Sequence, residues 1–530
     1  MSGRGQLRVH LVGILVLIGV LAYPTVPAVP AEAPLTLAKI DPSLSTEVAV
    51  EGVAPAILTW DRTQADRTQV ATYLRAHDFD AHVLNGLSVA FACAGSSADL
   101  STLAGAPGAV SVWGDRALEP ALDQSVRTAF NGDPNTVWQG QGYTGKGVAI
   151  GVVDTGIDAT HPDLQSGSKT KLNVRVLVSK HDATGPYSDP CGITDTYSEQ
   201  LPDSELTSGH GTHLASVAAG DGTVSGGRYR GVAPGADLIG VGVTESVTPQ
   251  TSVCPSDQPC APEQRTYLSL SGAIAGMNYI LSTGLEGCYP PYCSQFQPVR
   301  AKVILAGWTQ DGLLDPWHPM PWLVRDLGWY GINVVFPVGN EGPAASDCSA
   351  AATCNFNAFA AAEGAISVAA TPKLSDATLE SYSSRGDPVV RQERGEPVRY
   401  APMLAAPGTG VVAARRPGVA PIVQIPGSNL AGRPHTEPGI ERRYVPLTGT
   451  SVAAAHVAGA IALMQEAAVK GSGCYLTAQR VIDILRNTAD QMAGYQTHEV
   501  GAGALDVRSA VNQARSGGPS SQDPWMCPTS

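Results

Sequence analysis

Charge is sparse in this 530-residue chain. Asp, Glu, Lys and Arg make up 15% of it, and the balance is −13 with no long basic run. That argues against nucleic acid as a partner. The cysteines never stand in CxxC pairs, so no zinc pattern is present. No compact acidic loop of the EF-hand type occurs either. The N-terminal apolar run at 11–22 is about a dozen residues, short of the ~20 that cross a bilayer as a helix.

What is present suits an exported globular protein. With 58 glycines and 40 prolines the chain is rich in turns, and it is long enough for more than one domain and a large core. Arg4 and Arg8 precede the apolar run, and small residues follow it, with Val26-Pro27-Ala28 or Val29-Pro30-Ala31 as cleavage sites. The layout is that of a secretory signal over 1–31; an uncleaved membrane anchor is the competing reading. Ten cysteines fit an oxidising compartment. Cys254 and Cys260, Cys288 and Cys293, and Cys348 and Cys354 form close pairs, while Cys93, Cys191, Cys474 and Cys527 are more isolated. Connectivity stays open. If Cys93 leaves with a separate N-terminal domain, nine cysteines remain, and one is free or bridges to another chain.

Residues 32–54 read as a linker and 55–118 as a small α+β unit. Its expected elements are a strand at 56–60, a polar helix at 63–77 with Val70, Tyr73 and Leu74 at helical spacing, a strand at 84–92, a short helix at 98–103 and a strand at 109–113. A second linker and the start of the next unit occupy 119–140. From 141 to 515 apolar strands alternate with helices. Strands are expected at 147–153, 237–243, 303–306, 332–338 and 365–370, and helices at 214–220, 268–281, 322–330 and 478–488. This alternation predicts an α/β fold, a three-layer sandwich around a mostly parallel sheet. Residues 165–208 and 415–443 read as inserted loops, and 516–530 as a C-terminal tail tied back by Cys527.

The sequence LTGTSVAAAHVAGAIALM at 447–464 predicts a buried helix that begins at or just before Ser451. Small residues at Ala453, Ala454, Ala455, Ala458, Gly459 and Ala460 allow close packing. Taken alone, a serine at such a place is a helix cap. A helix N-terminus, however, carries unpaired N–H groups and about half a positive charge, which suits a developing oxyanion. Asp154 follows a β-branched apolar strand, where functional groups of open α/β sheets stand. His210 lies beside Gly209 and Gly211 at the start of a small-residue helix, and Asn340 follows Gly339 at a strand end. Singly these could be a cap, a loop histidine and a turn residue. Together they supply what a weak serine nucleophile needs: a base, a carboxylate to orient the base, and an amide donor for the oxyanion.

In these motifs the chain resembles the subtilisin-like serine proteases of the subtilase family. The matching stretches are VVDTGID at 152–158, HGTHLASVAAG at 210–220, PVGNEG at 337–342 and GTSVAAAHVAG at 449–459, supported by GVAPGADL at 231–238, SYSSRG at 381–386 and LAAPGTGV at 404–411. The order Asp, His, Ser is that of subtilisin. The resemblance implies a serine endopeptidase acting on protein or peptide substrates. Its triad would be Asp154, His210 and Ser451, and its oxyanion hole Asn340 with the Ser451 N–H. The substrate strand would be Gly307, Trp308 and Thr309, with Gly339 on the facing wall. His213 and His456 match structural positions. Residues 55–118 are similar to the inhibitory propeptide of this family, which the enzyme removes itself, here somewhere between 115 and 128. A monomer is implied, with no cofactor needed for catalysis; structural calcium, common in the family and permitted by the acidic balance, has no identified ligands here.

Four positions depart from the family pattern. Val452 replaces Met and Ala455 replaces Pro after the serine, and Gly307 stands where the substrate strand usually has Ser. Thr309 puts a side chain where the family leaves room for the residue before the scissile bond (P1), which points to a small P1 group. Two other readings follow: a peptide ligase or cyclase that passes the same acyl-enzyme to an amine, and a catalytically silent binding domain.

Overall fold

The computed structural model describes residues 39–114, 117–120, 128–177, 196–205, 207–247, 265–284, 300–342, 348–373, 375–417, 443–516 and 526–527. The expected signal at 1–31, most of the loop at 415–443 and Cys191, Cys254, Cys260, Cys288 and Cys293 lie outside these residues.

Along Ala149–Asp154 (β1) successive side chains point to opposite faces, and apolar cores cover both: Ile150 and Val152 enter one, Ala149 and Val153 the other. Seven more strands build the same sheet, and apolar cores cover both of its faces. These strands are Thr170–Leu177 (β2), Thr196–Ser198 (β3), Asp237–Gly242 (β4), Ala301–Ala306 (β5), Asn333–Pro337 (β6), Ile366–Pro372 (β7) and Leu404–Thr409 (β8). Their order is β8-β7-β6-β5-β1-β4-β2-β3. All neighbours run parallel except β2 and β3. Helices His210–Ala219 (α1) and Thr450–Ser472 (α4) join the first core, and Leu270–Gly284 (α2) and Pro319–Trp329 (α3) join the second. The result is the expected α/β three-layer sandwich. Helix α4 is long and apolar enough to cross a bilayer, yet it is wholly buried until its last turn. Gly459 explains how closely it packs, since a Cβ there would stand 2.6 Å from Val232 Cβ and 2.7 Å from Ala218 O of α1.

The N-terminal unit begins earlier than its sequence suggests. A strand at Lys39–Ile40 and a helix at Pro42–Glu51 occupy the stretch read as linker. Leu44 and Val48, one turn apart, anchor that helix in the unit's core, and this four-residue spacing is too short to stand out in the sequence. The five-stranded sheet is ordered 39–40, 109–114, 54–60, 89–94, 82–83, and is antiparallel except at its first pair. One face packs on its own helices through Leu58, Trp60, Val70 and Leu74. The other sends Ile57, Leu84, Leu87, Val89, Phe91 and Trp113 into the core shared with α2 and α3.

Two further boundaries shift. Residues 165–208 are not all loop, because β2 enters the central sheet there. Its Leu172, Val174 and Val176 alternate with polar residues and face the second core. The body also reaches back beyond 141: Ala129, Phe130 and Val137 belong to the first core, and Val507 N–H bonds Ala129 O. At the other end the Cys474–Cys527 disulfide ties the tail to the end of α4.

Candidate active site

Four element ends converge at the carboxyl ends of the central strands. Asp154 is the last residue of β1, His210 the first of α1, Ser451 the second of α4, and Asn340 lies three residues past β6. His210 Nδ1 stands 2.7 Å from Asp154 Oδ1, and His210 Nε2 stands 3.1 Å from Ser451 Oγ. With its Nδ1–H given to a carboxylate, the neutral imidazole presents Nε2 as an acceptor to the serine hydroxyl. Asp154 Oδ1 also accepts the Thr155 N–H at 2.8 Å. All three side chains are fully buried in this structure, which contains residues 117–120 in the adjacent cleft.

Asn340 is only half-buried. Its Oδ1 accepts from Thr450 N (2.8 Å) and Thr450 Oγ1 (3.0 Å), so the amide nitrogen faces away from Thr450. Thr450 Oγ1 in turn accepts the Gly339 N–H at 3.2 Å. Gly339 has a positive φ of 111°, and a Cβ on it would lie 2.7 Å from Ser384 Oγ. The residue therefore serves a tight backbone turn that carries Asn340 to the serine.

The expected substrate strand is present, but its residues divide. Trp308 does not face the cleft. Its ring is fully buried, edge-on to Phe336 and Phe359, and Nε1 donates to Val153 O at 2.9 Å. An indole finds a dry core with one acceptor on that side, so only the backbone of Trp308 lines the cleft. Gly307 is explained by space: a Cβ there would stand 2.2 Å from Leu214 Cδ1, 2.7 Å from Asp154 Oδ2 and 3.3 Å from His210 Cε1. The backbone passes too close to the carboxylate for the usual serine. Asp154 Oδ2 has no hydrogen-bond partner among the described residues.

The two other histidines of the matched motifs, His213 and His456, are kept neutral. Burial lowers His213 to about 3, with neighbouring His210 pushing the same way, and lowers His456 to about 4, partly offset by its bond to Val452 O. Sequence reasoning passed over Asn357, Thr155 and Glu205. Asn357, fully buried, donates to Trp308 O (3.2 Å) and Pro337 O (2.7 Å), tying the two cleft walls together. No local pattern marks an asparagine whose partners lie 49 and 20 residues away. Among the described residues no group of three or more His, Cys, Asp or Glu is placed to hold a metal ion.

The backbone of residues 117–120 lies in the cleft as an extended strand. It pairs antiparallel with Trp308–Thr309 on one side (Trp308 with Pro120, Thr309 with Glu119) and with Arg265–Ser269 on the other (Leu268 with Leu118, Ser269 with Ala117).

Comparison with known proteins agrees with this arrangement. A model of the subtilase family matches residues 145–503. The serine protease AprX of Bacillus subtilis is 27% identical over 403 residues, covering 76% of this chain and 74% of AprX. The extracellular basic protease of Dichelobacter nodosus is 25% identical over 405 residues, which is 71% of this chain and 52% of that protein. Among solved structures, fervidolysin from Fervidobacterium pennivorans, described as a keratinolytic enzyme related to subtilisin, superposes with a TM-score of 0.53 at 19% identity. The match covers 87% of this chain and 61% of fervidolysin. That likeness concerns the fold.

Proposed function

The chain belongs to the subtilase family of serine-type endopeptidases, and on that premise we propose that it is a secreted endopeptidase made as a precursor, with Asp154, His210 and Ser451 as its triad. Ser451 Oγ adds to the scissile carbonyl carbon while His210 Nε2 takes its proton, and Asp154 holds the imidazole and stabilises the imidazolium. The Asn340 amide and the Ser451 N–H receive the oxyanion. His210 returns the proton to the leaving amine, and water then repeats the sequence on the acyl-enzyme. No step calls for a cofactor.

One observation carries the substrate class: the cleft beside the triad holds four residues of this chain as an extended strand, paired on both sides. Such a slot accepts any extended polypeptide through its main chain and leaves selection to individual side chains. The N-terminal unit is then an inhibitory propeptide that delivers its own C-terminal strand to the site. The antiparallel register pairs Glu119 with Thr309 and Pro120 with Trp308, and the next residue along that wall, Gly307, abuts His210. We therefore place the maturation cut between Ala121 and Leu122, with alanine as P1. An alanine there suits the small P1 group expected from Thr309. The extracellular relatives and the expected signal at 1–31 support export.

The test is intact mass of the purified precursor beside its Ser451→Ala variant, with and without reductant. Cys93 is disulfide-bonded, while Cys348–Cys354 and Cys474–Cys527 are closed pairs. No other cysteine precedes residue 121, so the partner of Cys93 lies beyond the proposed cut. The two pieces of a cut precursor would therefore stay linked until reduced. Wild type should gain one water without reductant and separate at 121/122 with it; Ser451→Ala should stay one chain. Two uncut proteins, or two proteins cut alike, would overturn self-processing.

A further inference from the structure

The loop leading into α1 carries a carboxylate that none of the proposed steps uses. Glu205 is 1% exposed, and both its oxygens are engaged. Oε2 accepts from Thr155 Oγ1 at 2.6 Å; Oε1 accepts from Thr207 N at 3.1 Å and Ser208 N at 3.2 Å. Thr155 is the residue after Asp154. Its hydroxyl has one proton, and with that proton given to Glu205 a lone pair is left to accept Gly211 N–H at 2.9 Å. Gly211 is the residue after His210. A single hydroxyl thus couples the end of β1 to the first turn of α1, and Glu205 sets its direction. Gly156 lets the loop come this close: a Cβ there would lie 2.3 Å from Ser204 O and 2.5 Å from Glu205 N.

We infer that Glu205, acting through Thr155, is a positioning residue that holds Asp154 and His210 in register with each other, an inference that rests on the proposed triad. Only a carboxylate fits the arrangement. Both oxygens must accept, and an ionised carboxylate accepts at both, whereas an amide of the same shape must donate at one end. Glutamine here would either aim N–H at the backbone N–H groups of 207 and 208 or donate to Thr155 Oγ1. The second choice turns the hydroxyl proton toward Gly211 N–H and breaks the coupling. Burial, and less strongly the nearby Asp154, push the Glu205 carboxyl up from its ordinary range, while hydrogen bonds from Thr155 and from the backbone of Thr207 and Gly209 oppose the rise. A buried acid kept against that pressure needs its partners in place.

The experiment is a double-mutant cycle of Glu205→Gln and Thr155→Val, made in the full chain and assayed on a peptide substrate. Thr155→Ser serves as the rescue and Ser451→Ala as the blank. Variants that do not process themselves are matured with a trace of tagged wild type, which is then removed. Each single change should lower kcat about 10- to 100-fold with KM unchanged, the size expected for misplaced catalytic groups. The double variant should be no worse than Thr155→Val, because both break one path, and Thr155→Ser should keep wild-type kcat. Should Glu205→Gln fail to fold, Thr155→Val against Thr155→Ser decides alone. Wild-type kcat in Glu205→Gln, losses that multiply in the double variant, or a lowered melting temperature with kcat intact would each overturn the inference. A wild type without peptide hydrolysis would instead sink the proposed function itself.

Discussion

The helices of the N-terminal unit and those that carry the site begin in opposite ways. In the small unit Asp66 caps Arg67–Ala76 with a reciprocal bond from Gln69, and Ser96 caps Ser97–Ala104. Each cap is a side chain next to the helix it closes. Helices α1 and α4 begin at Gly209 and Gly449, which offer no side chain. Their first N–H groups are met mainly from elsewhere in the fold: Thr155 at the end of β1 accepts from Gly211, and Asn340 beyond β6 accepts from Thr450, with Ser208 alone supplying a local acceptor, to His210. Unsatisfied helix donors are costly to bury. Closing these two helices and assembling the site are therefore one event. A local cap stabilises a helix; a distant one also fixes where the helix end sits relative to another strand.

The largest break in this contrast is Asn340→Ala. It removes the acceptor for Thr450 N–H and, in the proposed mechanism, an oxyanion donor. Loss of such a donor costs about 10² to 10³ in kcat, and the lost contact to α4 should add a fall in melting temperature. Steady-state kinetics and thermal unfolding on the same preparation check both. A normal kcat would remove Asn340 from the proposed chemistry.

A second test uses the two histidines of α1, which are one turn apart and both fully buried. His210 is wired to Asp154 and Ser451, whereas His213 is held near 3, and His456 of α4 near 4, against an ordinary 6.5. Below pH 6.5 the unfolded chain takes up protons that these two neutral groups refuse, so the unfolded state binds more protons and stability falls with pH. Their contribution is fully present above 6.5 and drains away toward 4 and 3. The loss should be about 2 kcal/mol over the first unit below pH 6. Urea unfolding of Ser451→Ala between pH 7 and 5 measures it. A His456→Gln variant should flatten the slope, and an unchanged slope would count against a neutral His456.

The same division explains what was legible in the sequence. The apolar strands, their parallel alternation and the four site residues could be read because each sits in a short run whose pattern is local. Trp308, Glu205 and Asn357 could not. The side of a strand on which Trp308 lands depends on an acceptor at Val153, and Glu205 matters only because its loop folds back on Thr155. The strand at 170–177 is hidden in a polar stretch because β2 lies near the edge of the sheet, where polar residues alternate with apolar ones. The helix at 42–51 is hidden because the two anchors that hold it, Leu44 and Val48, make a very short apolar pattern.

The smallest expected effect tests the local half of the contrast. Ser96→Ala removes the acceptor for Asp99 N–H, 3.1 Å away, at the start of a helix that packs only within the N-terminal unit. An N-cap of this kind is worth about 1 kcal/mol, and the loss should appear as weaker protection of amides in 97–104 by hydrogen exchange in the Ser451→Ala precursor. Because the cap touches nothing in the body, the matured enzyme should keep its kcat once the unit has been cut and reduced away. If Ser96→Ala lowered kcat after that separation, local caps would reach the site after all, and the distinction between near and distant capping would fail.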